Sequence, residues 1–593
     1  MKKIICVLLC ILCLSVFAFS AGCKEDGGKK TDMPLKLNLD QVVLTSGPLK
    51  ERFDWNASYI KHLDVDRLLY WYRHFGGAGN AEGVQPYPDW ESGPLWYGIT
   101  MGHYLSACAM MYKNTGDTWY LNRVALSVNE LEKCQKPNGL LFAMEEDRFD
   151  KIEAGQNINQ AGPAFYYIHK TLAGLVDAYE YCGNQKALAM AVKLAEWVYE
   201  KTQSYLKNDT RLTVLSVEYG GITEPLYEIY AITDNQKAHR AAQFFQEDGI
   251  KRFWVNEFDN LMGMHANTTI PKAIGFVRAY MAGEGEDYLK AAEFFWELVT
   301  EKYMYPNGGV SAAEAFNVLY MGTVNQNSNP SETCTVYNMI KLSQYLYELT
   351  DDVKYLDYIE RALFNGIMGS IEETGCKTYY QNMYADAKRV YNPYDGGFWC
   401  CVGTGMENFP IANTLLCYER KDGLDINIFA SSEVTTESGV KFAIDSNDEK
   451  TTITVLNGGY LKLRLRIPRW CSSYLLMLDG VSIGTKEGEY LVVERDFHVG
   501  DALVYDTAFQ TAIEPSDVEN VFTLRYGPYQ MVGIVPNCTE LAGNSDTGWM
   551  AAPQIYPEGD KYYLQLDGNE KLALEKYGLI THQTFTTFFK RVD

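Results

Sequence analysis

Two neighbouring cysteines stand in the stretch Gly396-Gly397-Phe398-Trp399-Cys400-Cys401-Val402-Gly403-Thr404-Gly405. On an extended strand adjacent side chains face opposite ways, so the pair can serve one centre only where the backbone bends sharply, and four glycines permit such a bend. Upstream, Ser331-Glu332-Thr333-Cys334 places a carboxylate and a thiol two positions apart. Three thiolates and one carboxylate can fill a tetrahedral zinc site, since Cys and Glu are both zinc ligands. The same residues also allow a disulfide from Cys334 to one of the pair, or three buried thiols. The chain has eight histidines, and three of them, His103, His169 and His265, fall near the ends of successive helical hairpins. A lone histidine on an apolar helix is more often a hydrogen-bonded core residue, but such ends face a central cavity when hairpins close into a ring, so these side chains can also converge on one polar ligand. Glu314 follows the glycine pair Gly308-Gly309, and Glu218 and Glu224 flank Tyr219-Gly220-Gly221. A carboxyl group held in a partly apolar pocket has its pKa raised, as a proton donor near neutral pH requires. An exposed glutamate at a helix start is the plainer reading of Glu314.

These groups need a scaffold, and the pattern supplies one in two parts. From about residue 50 to 420 the apolar spacing is helical; Leu188, Ala191, Val192, Ala195 and Val198 form one face. Polar turns recur at Thr115-Gly116-Asp117, Cys182-Gly183-Asn184, Ile232-Thr233-Asp234, Gly283-Glu284-Gly285 and Thr350-Asp351-Asp352. Their spacing is that of a repeated helical hairpin, and about six hairpins fit the length. We expect a closed (α/α)6 barrel over 49–420. After Lys421 the period becomes two, as in Leu461-Lys462-Leu463-Arg464-Leu465-Arg466-Ile467, which predicts a β-sandwich over 421–510 and a second sandwich or a continuation over 511–593.

The first 22 residues read as a bacterial secretion signal: Lys2 and Lys3, an apolar run from Ile4 to Phe19, then small residues. Ala21-Gly22-Cys23 resembles a lipobox, which would place a lipid anchor on Cys23. Ser20 stands where that pattern usually carries Leu, so ordinary cleavage and secretion, or a periplasmic location, is the alternative. Residues 23–48 are expected as a linker. Four of the 14 cysteines lie at or before Cys23, and those that remain are too sparse for a disulfide scaffold. The chain has 593 residues and a net charge of −23, which argues against nucleic-acid partners because phosphate binding needs clustered Lys and Arg. Aromatic residues make up 13%, with 43 Tyr and 11 Trp, enough for sugar-stacking surfaces beyond the core.

Six motifs in order carry a resemblance: Gly102-His103-Tyr104-Leu105-Ser106-Ala107, Ile168-His169-Lys170 with Ala173-Gly174-Leu175, Glu218-Tyr219-Gly220-Gly221, His265-Ala266-Asn267-Thr268 with Ile270-Pro271-Lys272, Ser331-Glu332-Thr333-Cys334, and Phe398-Trp399-Cys400-Cys401. Together they resemble glycoside hydrolase families 127 and 146, the β-L-arabinofuranosidases. The resemblance implies an (α/α)6 barrel followed by β-sandwich domains and zinc on Glu332, Cys334, Cys400 and Cys401. It implies a retaining exo-acting reaction with Cys400 as nucleophile and Glu314 as acid/base, and His103, His169, His265 and Glu218 as sugar-binding groups. The expected substrate is a plant-type arabinose-containing glycan or glycoprotein. Two alternatives stand: the same chemistry on another furanoside, or a non-catalytic cell-surface glycan-binding protein with structural zinc, in which Glu314 would turn away from the cavity.

Overall fold

The computed structural model describes residues 32–317, 329–447, 450–534, 540–542, 554–565 and 571–592; the expected signal peptide and Cys23 lie outside them. Among the described residues, twelve of the helices along the first part of the chain build a ring, the others being short connecting pieces: α1 (Gly47–His62), α2 (Thr100–Thr115), α3 (Thr118–Cys134), α4 (Ala164–Cys182), α5 (Gln185–Lys207), α6 (Thr223–Thr233), α7 (Gln236–Phe245), α8 (Ala266–Met281), α9 (Glu286–Lys302), α10 (Thr333–Thr350), α11 (Lys354–Arg361) and α12 (Cys400–Ala412). The even-numbered helices pack side by side in the order α2, α4, α6, α8, α10, α12, and α12 closes back onto α2. Helices α3, α5, α7, α9 and α11 each lie outside their predecessor, and α1 covers α12. This is the closed six-hairpin ring expected from the turn spacing.

Burial follows from these positions. On the outer helix α5, Ala191, Ala195 and Val198 of the expected face are fully covered, while Leu188 and Val192 at its edge are half-buried. Inner helix α2 has apolar or small residues all round, and 13 of its 16 residues are buried. The recurring polar turns are the C-terminal caps of inner helices: Gly116, Gly183, Asp234 and Asp351 take left-handed conformations that stop the helix and turn the chain outward. Five inner helices are each followed by a returning outer one, and α1 precedes the ring as the outer partner of α12, so all six inner helices run the same way. Their N-termini gather at one end of the ring.

After α12 come two facing sheets, one of six strands and one of seven. The alternation in Leu461–Arg466 holds, with Leu461, Leu463 and Leu465 turned into the core. Leu35–Lys36 pairs with Cys417–Arg420, and Val42–Leu44 pairs with Ser432–Thr435. Part of the stretch expected as a linker, 23–48, is therefore integral to the sheets; strands of two and three residues are too short to leave a periodic signal. A third sheet, eight-stranded among the described residues, encloses its own core of Phe522, Leu524, Met531, Leu564, Leu574 and Phe589. It braces the long excursion between α11 and α12: Ala387 N–H donates to Phe585 O at 2.9 Å, and Arg389 Nη2 to Tyr577 O at 2.6 Å. Among the described residues no helix is long and apolar enough to cross a membrane.

Candidate active site

The cysteines meet where α10 and α12 begin. Trp399 caps α12, so Cys400 and Cys401 are its first two residues; Glu332 caps α10, so Cys334 is its second. The adjacent cysteines reach one centre from the first turn of a helix, and the bend comes earlier, at Gly397 (φ 81°) and Phe398 (φ 47°). Asp89 fixes that bend by accepting the Gly397 N–H at 2.7 Å. The glycines inside α12 serve close packing. A Cβ on Gly403 would lie 2.3 Å from His103 Cδ2, and one on Gly405 2.5 Å from Lys377 Cγ.

Cys334, Cys400 and Cys401 are all free thiols, which rejects the disulfide reading. Cys334 Sγ lies 3.2 Å from Cys401 Sγ, Cys400 Sγ lies 3.9 Å from Cys401 Sγ, and both sulfurs of the pair are 3.7 Å from Glu332 Oε1. A tetrahedron built on Zn–S bonds of ~2.3 Å has edges of roughly 3.8 Å. The four ligand atoms lie within 4.8 Å of one another, and Glu332 Oε2 is buried with no hydrogen-bond partner. Burial pushes the Glu332 carboxyl and the Cys334 and Cys401 thiols well up, whereas thiols donated by Cys334 and then Cys401 pull Cys400 well down. Four acidic groups in one dry cluster cannot ionise together without a cation, so the donor set fits a thiophilic metal. Two helix N-termini add positive potential to the same spot.

Glu314 turns toward this cluster. It sits at φ 70° in a strained run with Ser311 (φ 84°) and Ala313 (φ 46°), held because Ala266 N–H donates to its carbonyl at 2.8 Å. Its carboxylate accepts from Tyr379, from Tyr380 at 3.1 Å, and faces His265 Nε2 at 3.5 Å. His265 caps α8: its Nδ1 accepts the Thr268 N–H at 3.1 Å, which leaves the proton on Nε2 pointing at Glu314. The expected rise in the Glu314 pKa is overturned. Hydrogen bonding by His265 and then Tyr379 outweighs burial and brings it down to about 2. His265 is raised in turn, because Glu314 and Glu218 overcome its desolvation. The two shifts, down for Glu314 and up for His265, both favour the pairing of an imidazolium with a carboxylate.

The other residues singled out by sequence fall around this core. Glu218 precedes α6 beside His265, and burial raises its carboxyl. His169 Nδ1 accepts the Gly221 N–H at 3.1 Å, and burial keeps the ring neutral. His103 is buried deeper, only 1% exposed, with Nδ1 2.5 Å from Glu407 Oε1 and Nε2 unpartnered. Glu224 pairs with Lys341 at 2.7 Å and lines a polar cavity of about 100 Å³ that His169 and Cys334 also line. Sequence reasoning missed Tyr379, Tyr380 and Glu407. Glu407 was accessible in principle, because Cys400, Thr404 and Glu407 repeat at helical spacing; nothing in the sequence tied the tyrosines to the cysteines. Trp90, Tyr379 and Trp399 wall the sulfurs, and Trp90 stacks on Trp96 at 4.8 Å.

Residues 41–413 match the description "Beta-L-arabinofuranosidase, GH127 catalytic domain", and 423–507 match "Beta-L-arabinofuranosidase, GH127 middle domain". A non-reducing end β-L-arabinofuranosidase of Bifidobacterium longum is 24% identical over 440 residues, 68% of this chain; the chain spans 58% of that protein's length. A solved GH127 β-arabinofuranosidase superposes with a TM-score of 0.74 at 15% identity, covering 94% of this chain and 98% of the other. A GH127 β-L-arabinofuranosidase from Geobacillus stearothermophilus T6 gives 0.69 at 16% identity, covering 93% and 100%. Both likenesses are of fold.

Proposed function

Because the chain belongs to the glycoside hydrolase family 127 β-L-arabinofuranosidases, we propose that it is a retaining exo-acting enzyme releasing L-arabinofuranose from β-L-arabinofuranosides. The observation that carries the reading is a buried Cys/Cys/Cys/Glu cluster whose Cys400 sulfur and the Glu314 carboxylate are both within reach of one Tyr379 hydroxyl. Glu332, Cys334, Cys400 and Cys401 would hold zinc, which keeps a coordinated thiol deprotonated.

Most retaining glycosidases use two carboxylates, one attacking the anomeric carbon and one donating a proton to the leaving oxygen. Here Cys400 Sγ takes the first part, oriented by α12. The His265–Glu314 pair holds the proton. It rests on His265 Nε2, passes to Glu314 as the substrate displaces solvent, and goes to the leaving oxygen as the carbon–sulfur bond forms. Glu314, again a carboxylate, then takes a proton from water, whose oxygen replaces sulfur on the anomeric carbon. Glu218 and His169 offer polar atoms to the sugar hydroxyls, and Trp90 and Trp399 offer ring faces, while His103, expected among the sugar-binding groups, is 1% exposed and packed between Glu407 and Gly403. The reading extends to a plant-type arabinose-containing glycan as substrate and to an exported protein, anchored through Cys23 or secreted. The test is release of L-arabinose from a synthetic β-L-arabinofuranoside by metal-loaded wild type, Cys400→Ser and Glu314→Gln. Turnover by wild type alone is expected; no release from any β-L-arabinofuranoside by wild type rejects the reading.

A further inference from the structure

One hydroxyl touches both groups assigned to the reaction. Tyr379 Oη donates to Glu314 Oε1 and lies 3.8 Å from Cys400 Sγ. Its position is not that of a loose side chain. Thr333 N–H, the first residue of α10, donates to the Tyr379 carbonyl at 2.9 Å, and Cys401 Sγ lies 3.8 Å from the same oxygen. The ring is packed between Tyr380, at 4.5 Å, and Trp399, at 5.7 Å. Backbone and ring together fix the hydroxyl in the gap between sulfur and carboxylate. Tyr380, by contrast, reaches only the carboxylate, at 3.1 Å.

A hydroxyl carries a single proton and donates to one acceptor at a time. Its two acceptors carry the negative charge in alternation during a retaining reaction. We propose that Tyr379 is a further catalytic residue, whose hydroxyl proton is donated to whichever of Glu314 and Cys400 is the anion at that stage. The proposal rests on the hydrolase reading above. Before the first step Glu314 holds the proton to be delivered and Cys400 is the thiolate, so Tyr379 donates to sulfur. As the carbon–sulfur bond forms, the carbon–oxygen bond breaks, and the leaving oxygen takes its electron pair and the proton of Glu314. Sulfur is then neutral, and Tyr379 turns to the new carboxylate. In the second step Glu314 takes a proton from water, the water oxygen bonds to carbon, and sulfur leaves with its electron pair. Tyr379 returns to it. The Tyr379 O–H bond stays intact throughout.

The experiment compares zinc-loaded wild type, Tyr379→Phe and Tyr380→Phe. It measures kcat/KM for an alkyl β-L-arabinofuranoside against pH, pre-steady-state breakdown of the sulfur-linked intermediate, and bound zinc. A hydrogen bond to a charged group is worth roughly tenfold to a hundredfold in rate. Tyr379→Phe is expected to lose that factor in both formation and breakdown, to keep its zinc, and to move the alkaline limb of kcat/KM upward, because Glu314 loses a donor. Tyr380→Phe is expected to move the limb the same way and to leave breakdown within about threefold of wild type. Breakdown in Tyr379→Phe equal to that in Tyr380→Phe overturns the proposal, and so does loss of zinc from Tyr379→Phe, which would mark a structural role. Wild type is the control: if it does not turn over, the hydrolase reading itself falls and takes this proposal with it.

Discussion

Replacing Glu314 by Gln removes one charge from a site whose charge pairing can be read from the structure. The carboxyl is held at about 2 against an ordinary 4.5, mainly by His265 and then Tyr379. At about 1.4 kcal/mol per pH unit that preference is worth roughly 3 kcal/mol before screening. The side chains of Glu314 and His265 are 35% and 39% exposed, so screening reduces it to about 1–2 kcal/mol. Because the Glu314 pKa is depressed, its stabilisation is full above the unfolded value and is lost as pH falls toward 2. Because the His265 pKa is raised, its share is full below 6.5 and is lost as pH rises through the elevated value. The pair therefore contributes most between about pH 4.5 and 6.5. Glu314→Gln should melt about 1–3 °C below wild type in that window, with the gap narrowing at alkaline pH. The assay is thermal unfolding of both zinc-loaded proteins from pH 4.5 to 9. The same variant should lose roughly 10²–10⁴-fold in kcat on alkyl arabinosides. A melting gap that widens above pH 7 would refute the charged His265–Glu314 pair.

Metal removal and close packing give two further outcomes. Chelation should abolish turnover and lower the melting temperature, with both restored by zinc; at a hundredfold excess over Kd bound metal stabilises by about 2.7 kcal/mol, and an unchanged melt after verified zinc loss would contradict the donor-set reading. Gly403→Ala should destabilise the protein by about 1–3 kcal/mol, because its Cβ would fall 2.3 Å from the His103 ring. Alanine otherwise favours a helix over glycine by about 1 kcal/mol. A stabilised Gly403→Ala in denaturant unfolding would show that His103 is not packed as described.

The ring was legible because its signal is long-range and repeated. Polar turns such as Cys182-Gly183-Asn184 and Thr350-Asp351-Asp352 hold the left-handed residues that stop four of the inner helices before the outer partner returns. The ligand cluster is legible from residue type and motif order, though the local picture is not: the four glycines around Cys400-Cys401 suggest a sharp bend at the pair, whereas the bend lies at Gly397 and Phe398 and the pair opens a helix. Period alone could not decide this, because Gly403 and Gly405 read as turn residues when their partners, His103 and Lys377, are hundreds of positions or tens of positions away. The Glu314 environment was misjudged for the same reason. An apolar pocket raises a carboxyl only when no donors enter it, and three donors arrive from 265, 379 and 380. The strands at Leu35–Lys36 and Val42–Leu44 were hidden by their length.

The central claim is that a metal-held Cys400 sulfur bonds to the anomeric carbon. The direct measurement is mass spectrometry of peptides from zinc-loaded protein quenched during turnover of a β-L-arabinofuranoside that reacts fast and is released slowly. The account predicts one pentosyl increment on the peptide carrying Cys400, located on that sulfur by fragmentation, and none in Cys400→Ser. A pentosyl group on Glu314 or another carboxylate, or turnover by Cys400→Ser at the wild-type rate, would contradict it.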